Sequence, residues 1–222
     1  MTPAPTWKTV LEIAKERHSY YSIKNSSTLS DDELITILKE SVNNSPTPFN
    51  NQSTRAILIL GQKNKDMWEA IWTAHRTTLS GRECVPHGQR LTLQAEHERK
   101  ARIKYEAAYL GGYGTYLFFD DENVVDGMVK AMPNLSTAFP AWVGNAAGIL
   151  HYIVWTALEC AGMGANLQHF PQLSPVTAPA LKEFLKTPDN WSCTAMIPFG
   201  EINGAPPERT YLPVDDKVLV IQ

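Results

Sequence analysis

The chain has 222 residues, of which 43% are hydrophobic and 19% charged, the balance of an ordinary globular protein that can bury a full core. Its formal net charge of −3 at pH 7 argues against non-specific binding to nucleic acid, because such binding requires a basic surface. Cys84, Cys160 and Cys193 lie far apart and form no CxxC pair, so neither a disulfide framework nor a zinc knuckle is predicted.

The amino-terminal segment, residues 1–16, contains no apolar stretch of signal-peptide length. We therefore expect a protein of the cytoplasm, or of the nucleus by diffusion. No internal repeat is found, and we expect residues 1–222 to form a single domain.

Helical patterns and turns alternate in the first part of the chain. Residues 6–17 carry an apolar stripe at helical spacing, including Trp7 and Leu11, which we expect to be buried. Ser30 is followed three residues later by Glu33, a capping box that begins a second helix. The predicted helices here are residues 6–17, 30–42, 66–79, 91–110 and 120–133, the predicted strands are residues 56–60 and 115–119, and the predicted loops are residues 45–53 and 81–89.

Residues 142–161 form a helix whose apolar positions recur on nearly every side. We expect this central helix to be enclosed by protein, either in the core or in a dimer interface. Asn145, His151 and Glu159 interrupt it, which argues against a membrane span.

The central helix is predicted to end at Gly162-Met163-Gly164, because glycine permits backbone conformations that other residues avoid. Polar side chains follow directly, among them Gln168 and His169. A glycine turn followed by a row of polar groups is typical of the wall of a cofactor site, although most such turns only cap a helix.

The last part of the chain is predicted to contain a helix, residues 174–186, and two strands, residues 194–199 and 217–221. Residues 203–213 are rich in proline and glycine and should be extended. A compact monomer has little reason to keep such an arm, so we expect it to embrace a second subunit. About four strands, separated irregularly by helices, favour an α+β fold with one central sheet.

Common nucleotide-binding and catalytic motifs are missing from the sequence. Gly112-Tyr113-Gly114 and residues 162–164 follow helices and lack the third glycine of a dinucleotide-binding fingerprint. No GxxxxGK[ST] or GxSxG pattern occurs, and the six histidines show no HxxxH spacing. We therefore predict no dinucleotide-binding domain, no metal site, and no catalytic nucleophile or acid–base pair.

Separated polar loops provide the candidate site. Arg17, His18 and Ser19 together suit a phosphate monoester, although they would equally suit an exposed helix end. Asn50 and Gln52 alternate in a loop that we expect to be extended, so both amides should point the same way. They could then contact the edge of a planar heterocycle, or they could simply fill a turn.

Taken in order, these loops resemble the flavin-dependent nitroreductase superfamily. Its members commonly begin with a helix ending in Arg-[Arg/His]-[Ser/Thr], continue with a Ser/Pro-rich loop containing Asn-x-Gln, and place a basic residue near the end. In this chain the three features are residues 17–19, residues 50–52 and Arg209. Taken alone, an arginine such as Arg209 usually faces solvent. Three longer segments are similar to the compact branch that includes yeast proteins linked to fatty-acid repression and a copper-induced nitroreductase of lactic bacteria. They read TPFNNQSTRA, GANLQHF and FGEINGAPPERTYLP.

The resemblance implies an α+β fold with a mostly antiparallel sheet flanked by helices, in a homodimer that exchanges its carboxyl-terminal arms. It also implies one FMN per subunit, bound in the dimer interface. The residues implied are Arg17, Ser19 and Arg209 at the FMN phosphate with His18 beside them, Asn50 and Gln52 along the ribityl chain and ring edge, and Gln168 and His169 near the reactive face.

The sequence departs from the family pattern in two places. Many relatives have a lysine two residues after the serine, which stabilises negative charge on the reduced flavin ring. Tyr21 stands there instead, and whether Lys24 substitutes is open. The family's Asn-x-Gln-Pro-Trp continues here with Ser53 and Thr54, so the contact of that tryptophan is missing or supplied differently.

The implied activity is hydride transfer in two steps, from NAD(P)H to the flavin and then to a small planar nitroaromatic or quinone. Two alternatives remain open. One is a pathway-specific flavoenzyme that acts on a single metabolite, and the other is a flavin-binding redox regulator of lipid or stress metabolism. The expected partners are a second copy of the chain, the nicotinamide and the acceptor, with no nucleic acid and no membrane.

Overall fold

An antiparallel sheet of five strands organises the part of the chain that this computed structural model describes, residues 6–79, 96 and 98–222. The strands are β1 (Ile23–Lys24), β2 (Thr54–Leu60), β3 (Gly114–Asp121), β4 (Met163–Ala165) and β5 (Trp191–Ile202). Their order is β1–β5–β3–β2, and β4 also pairs with β5. This arrangement confirms the predicted α+β fold with one central antiparallel sheet flanked by helices.

Helices cover both faces of this sheet. Within the described residues they are α1 (Trp7–Glu16), α2 (Asp31–Asn44), α3 (Gly61–Leu79), α4 (residues 98–105, continued by a π-helical turn at Glu106–Leu110), α5 (Glu122–Ala131), α6 (Phe139–Cys160), α7 (Phe170–Leu173) and α8 (Thr177–Leu185). The predicted capping box of α2 is present, since Ser30 and Glu33 exchange side-chain and backbone hydrogen bonds.

The central strand β3 is buried on both faces. Tyr116 and Phe118 pack in a core formed with α2 and α6. Leu117 and Phe119 point the other way and pack in a second core formed with α3, α7 and α8. Because side chains alternate along a strand, one continuous apolar run fills two separate cores.

The predicted central helix is α6, which begins at Phe139, before the expected start at residue 142. It ends as predicted, and Gly162, with a φ of 74°, turns the chain into β4. The helix is not enclosed on all sides within one chain, because Ile149 and Tyr152 are 44% and 41% exposed. The side opposite the sheet is therefore an open apolar surface.

Two predictions about the ends of the chain are wrong for the single chain. The helix α1 forms, but its apolar stripe is not buried, and Trp7 and Leu11 remain 69% and 59% exposed. Residues 217–221 do not form a strand, and Ile221 is 87% exposed. The physical reason is the same in both places: the described residues supply no surface to cover these side chains and no strand to pair with this backbone.

Other differences concern element boundaries. The helix α3 begins directly after β2 at Gly61, whereas it was predicted from residue 66. The predicted loop at residues 81–89 and the start of the helix predicted at residue 91 lie outside the described residues. Among the helices that are described, none combines the length and the hydropathy that crossing a membrane requires.

Candidate functional site

The backbone that follows α1 is fastened to the end of α6 and to β4. The carboxylate of Glu159 accepts hydrogen bonds from the main-chain N–H of His18 at 3.2 Å and from the hydroxyl of Tyr20 at 3.1 Å. The main-chain N–H of Tyr20 donates to the carbonyl of Ala165 at 2.9 Å, and Asn166 Nδ2 donates to the carbonyl of Tyr20 at 2.7 Å. This loop is thus held in one conformation although it forms neither helix nor strand.

The structure brings Arg17 and Arg209 together at this loop. Arg209 reaches back from the carboxyl-terminal arm, and its Nη1 donates to the carbonyl of Lys15 at 3.0 Å. Burial, and then the positive charge of Arg209, lower the pKa of Arg17. Arg17 Nη1 and Arg209 Nη2 are buried, and neither has a hydrogen-bond partner in the described part of the chain. Adjacent guanidinium groups with buried, unpaired N–H donors fit an anion such as a phosphate monoester.

His18 and Ser19 lie beside this arginine pair. The ring nitrogen Nδ1 of His18 contacts the carbonyl of Glu16, and the ring lies edge-on to that of Tyr20, with 6.3 Å between centroids. The imidazole is therefore engaged by the end of α1. Ser19 is half-buried, and no hydrogen bond among the described residues uses its hydroxyl, which leaves that group for a ligand.

The loop with Asn50 and Gln52 is not extended as predicted. A 3₁₀ turn at Pro48–Asn50 bends it, and Phe49, Asn50 and Gln52 have φ values of 53°, 55° and 53°. Left-handed backbone is unfavourable for residues other than glycine and costs roughly 1 kcal/mol or more each, so packing must hold this loop in place. Both amide side chains line a cavity of about 940 Å³ between α2 and β2.

Within one chain, this second loop and the arginine pair lie at different ends of α6. Phe49 packs on Phe139 and Trp142, with ring centroids 6.3 Å and 6.1 Å away. Arg17 lies over the ring of Trp155 instead. At a rise of about 1.5 Å per residue, the two packing sites are about 20 Å apart along the helix. A single chain therefore does not bring Asn50 and Gln52 to the arginine pair.

Gln168 lies close to the arginine loop, and its polar groups are already paired. Its main-chain N–H and C=O each form a 2.8 Å hydrogen bond with Met196. Its side chain donates to Asn166 Oδ1 at 2.8 Å and accepts from the hydroxyl of Tyr109 at 3.2 Å. His169 is exposed in the residue before α7.

The sequence comparison decides the family. Residues 14–201 match the Nitroreductase family. The chain belongs to the nitroreductase family. Two Saccharomyces cerevisiae proteins are similar to this nitroreductase over much of its length. HBN1 is 28% identical over 216 residues, which are 95% of this chain and 96% of HBN1, and the nitroreductase FRM2 is 29% identical over 169 residues, which are 76% of this chain and 74% of FRM2.

Solved nitroreductases share the fold. Nitroreductase CinD from Lactococcus lactis is 27% identical with a TM-score of 0.76, and the alignment covers 96% of this chain and all of CinD. CinD has been solved with nicotinic acid, chloramphenicol and 4-nitrophenol. A nitroreductase from Desulfitobacterium hafniense, solved with bound FMN, is 18% identical with a TM-score of 0.66, covering 96% of this chain and 97% of that one.

Two residues of this nitroreductase site were missed by the sequence analysis. Trp155 and Glu159 are four residues apart on α6, so they lie on one face of the helix, and both contact the loop after α1. Glu159 was interpreted only as an interruption of an apolar helix. A carboxylate in an otherwise apolar helix requires hydrogen-bond donors nearby, so Glu159 itself was the signal in the sequence that another segment packs against this end of α6.

Proposed function

We propose that this nitroreductase is an FMN-dependent NAD(P)H oxidoreductase that reduces nitroaromatic compounds or quinones. The observation that carries the proposal is the pair of buried, unpaired donors, Arg17 Nη1 and Arg209 Nη2. CinD, which covers the chain at 27% identity, binds the nitro compounds chloramphenicol and 4-nitrophenol, and this supports the acceptor class.

The residues of the loop after α1 would hold the FMN phosphate. Arg17 and Arg209 supply positive charge and forked donors, and the free hydroxyl of Ser19 supplies one more hydrogen bond. His18, whose ring is turned toward the end of α1, would lie beside the phosphate. When bound, FMN would supply the hydride chemistry, taking a hydride from NAD(P)H and passing it to the nitroaromatic compound or quinone.

Because the bound flavin would supply the hydride chemistry, the protein itself would need no acid–base dyad. The chain's own contribution is to hold the cofactor, to place positive charge near it and to exclude water from a slot for flat substrates. Gln168 and His169, which follow β4, would approach the reactive face of the ring. Tyr21, 48% exposed, occupies the position of the family's lysine.

We further propose that residues 1–222 act as one domain in a homodimer with swapped carboxyl-terminal arms. The supporting observations are three exposed apolar surfaces, on α1, on the outer side of α6 and along residues 211–221. A fourth supporting observation is the separation of about 20 Å along α6 between the arginine pair and the loop with Asn50 and Gln52. The Asn50 and Gln52 of one chain could complete the site of the other. Each FMN would then contact the arginine pair of one protomer and the amide loop of its partner.

Purified full-length protein tests this proposal in three measurements. We expect a yellow protein with flavin absorption, loss of that absorption when NADH or NADPH is added without oxygen, and a dimer by light scattering. Turnover of NADH should increase when 4-nitrophenol or a quinone is added. A colourless protein that does not bind added FMN overturns the cofactor assignment, and bound FMN that neither nicotinamide reduces overturns the reductase assignment.

A further inference from the structure

An indole ring of α6 lies directly beneath Arg17, one of the two arginines of the pair. The guanidinium carbon of Arg17 is 4.0 Å from the centroid of the Trp155 ring, a close cation–π contact. Trp155 Nε1 is buried and, within residues 6–79, 96 and 98–222, has no hydrogen-bond partner. The buried indole donor therefore belongs to the same cluster as Arg17 Nη1 and Arg209 Nη2.

We propose that Trp155 is a phosphate-binding residue of the flavin site, where it fixes the plane of the Arg17 guanidinium and donates its indole N–H to the phosphate. This inference rests on the proposed binding of FMN. A buried tryptophan N–H normally finds an acceptor, because an unpaired polar group loses its hydration without replacement. Three unpaired donors on neighbouring side chains point to one shared acceptor with several oxygen atoms.

The charges around the cluster favour an anionic acceptor. The groups that face Arg17 are Arg209 from the carboxyl-terminal arm and Tyr152 and Glu159 from α6. Both carboxylate oxygens of Glu159 already accept hydrogen bonds, from His18 and Tyr20, and no ion pair between Glu159 and either arginine is present among the described residues. The two guanidinium charges, set against the single negative charge of Glu159, therefore leave net positive charge for a ligand.

The donor set also implies a preference among flavins. A terminal phosphate monoester offers three oxygen atoms to Arg17, Arg209 and Trp155, whereas riboflavin has no phosphate. The inference therefore predicts that Trp155 contributes to the binding of FMN and makes no difference to the binding of riboflavin. The ratio of the two affinities isolates the phosphate contacts from those of the ring.

The test compares full-length wild type with Trp155→Phe, which keeps an aromatic face under Arg17 and removes only the N–H. We expect the Kd for FMN to rise about tenfold, and the Kd for riboflavin to stay the same. Trp155→Leu removes the ring as well and should raise the Kd for FMN further. Trp72→Phe is the matched control, since Trp72 also carries an arginine, Arg102, at 5.3 Å, but packs in the other core.

The outcomes separate this inference from the proposed function. If wild type binds neither flavin, the proposed function fails. If wild type prefers FMN and Trp155→Phe keeps the same preference, FMN is bound without the indole N–H and the inference is wrong. Should Trp155→Phe fail to fold, the NMR signal of the Trp155 indole N–H in wild type decides. That signal should shift when FMN is added and stay in place with riboflavin, and a signal unmoved by FMN overturns the inference.

Discussion

The carboxylate of Glu159 holds the backbone of His18 through a hydrogen bond of 3.2 Å that joins the last turn of α6 to the loop after α1. The second oxygen accepts from the hydroxyl of Tyr20 at 3.1 Å. Replacing Glu159 with alanine removes both acceptors, so we expect this loop to loosen and FMN binding to weaken about tenfold. Loss of the two bonds should also lower the free energy of unfolding of the flavin-free protein by about 1–3 kcal/mol.

Glu159→Gln distinguishes positioning from charge in that experiment. The glutamine keeps an oxygen that accepts from His18 and removes the negative charge near the arginine pair. If Glu159 acts by positioning, Glu159→Gln should bind FMN at least as tightly as wild type while Glu159→Ala binds more weakly. Tighter binding by both variants in flavin titrations would mean that only the charge of Glu159 matters.

Arg209 should be required for tight FMN binding and dispensable for folding. Arg209→Ala removes a charge-assisted contact to the phosphate worth about 1.5–3 kcal/mol, so the Kd for FMN should rise about 10- to 150-fold. The flavin-free protein should unfold at nearly the same temperature as wild type, because the variant relieves repulsion between Arg209 and Arg17 and loses the exposed hydrogen bond to the carbonyl of Lys15. Fluorescence titration with FMN and thermal unfolding without it measure the two effects.

Arg209→Lys is the control for geometry. Lysine keeps the charge and loses the planar fork, so its Kd should lie between those of wild type and Arg209→Ala. An unchanged Kd for Arg209→Ala would remove Arg209 from the site.

Local signals in the sequence located most of the fold. The capping box at Ser30 begins α2, the apolar pattern that starts at residue 142 identifies α6, and the apolar run in β3 marks the centre of the sheet. The strands β1 and β4, of two and three residues, are too short to show any periodicity. The exposed stripe of α1 shows a second limit of sequence patterns. The pattern indicates that one face of the helix is apolar, but it does not indicate whether the same chain or a second chain covers that face.

The site was less accessible to sequence reasoning than the fold. Arg17 and Arg209 are far apart in the sequence, and only the resemblance to a family placed them together. The conformation of Asn50 and Gln52 follows from the turn that begins at Pro48, which an alternating pattern does not show. Trp155 looked like one more apolar residue of α6, because a lone indole N–H has no sequence signature until its surroundings are known.

His151 should make the stability of the protein depend on pH. Its side chain is 6% exposed in α6, next to Phe118, and burial followed by the nearby His169 lowers the pKa of His151 to about 4. In the unfolded chain the pKa is about 6.5, so the unfolded state takes up a proton first as the pH falls. Stability is therefore complete above pH 6.5 and decreases between pH 6.5 and 4, by up to about 3 kcal/mol.

The test is the difference in unfolding free energy between wild type and His151→Gln, measured by urea denaturation from pH 4 to 8. Glutamine keeps a hydrogen-bonding group near Thr194 Oγ1, which lies 3.3 Å from His151 Nε2, and does not titrate. The difference cancels the effect of Asp120, whose pKa burial raises to about 6 and which acts in the opposite direction, stabilising the fold as the pH falls. A difference that stays constant with pH would show that His151 titrates normally.

Thr115 should be among the least replaceable polar residues of the core. Its hydroxyl accepts from Trp68 Nε1 at 2.9 Å and donates to Asn64 Oδ1 at 2.6 Å, and all three residues are fully buried. Thr115→Val keeps the shape and leaves two buried polar groups unpaired, which should cost about 2–4 kcal/mol. Thr115→Ser keeps the hydroxyl and removes one methyl group, so it should cost only about 1 kcal/mol. Chemical denaturation measures both, and a valine variant as stable as the serine variant would mean that these hydrogen bonds do not hold α3 to β3.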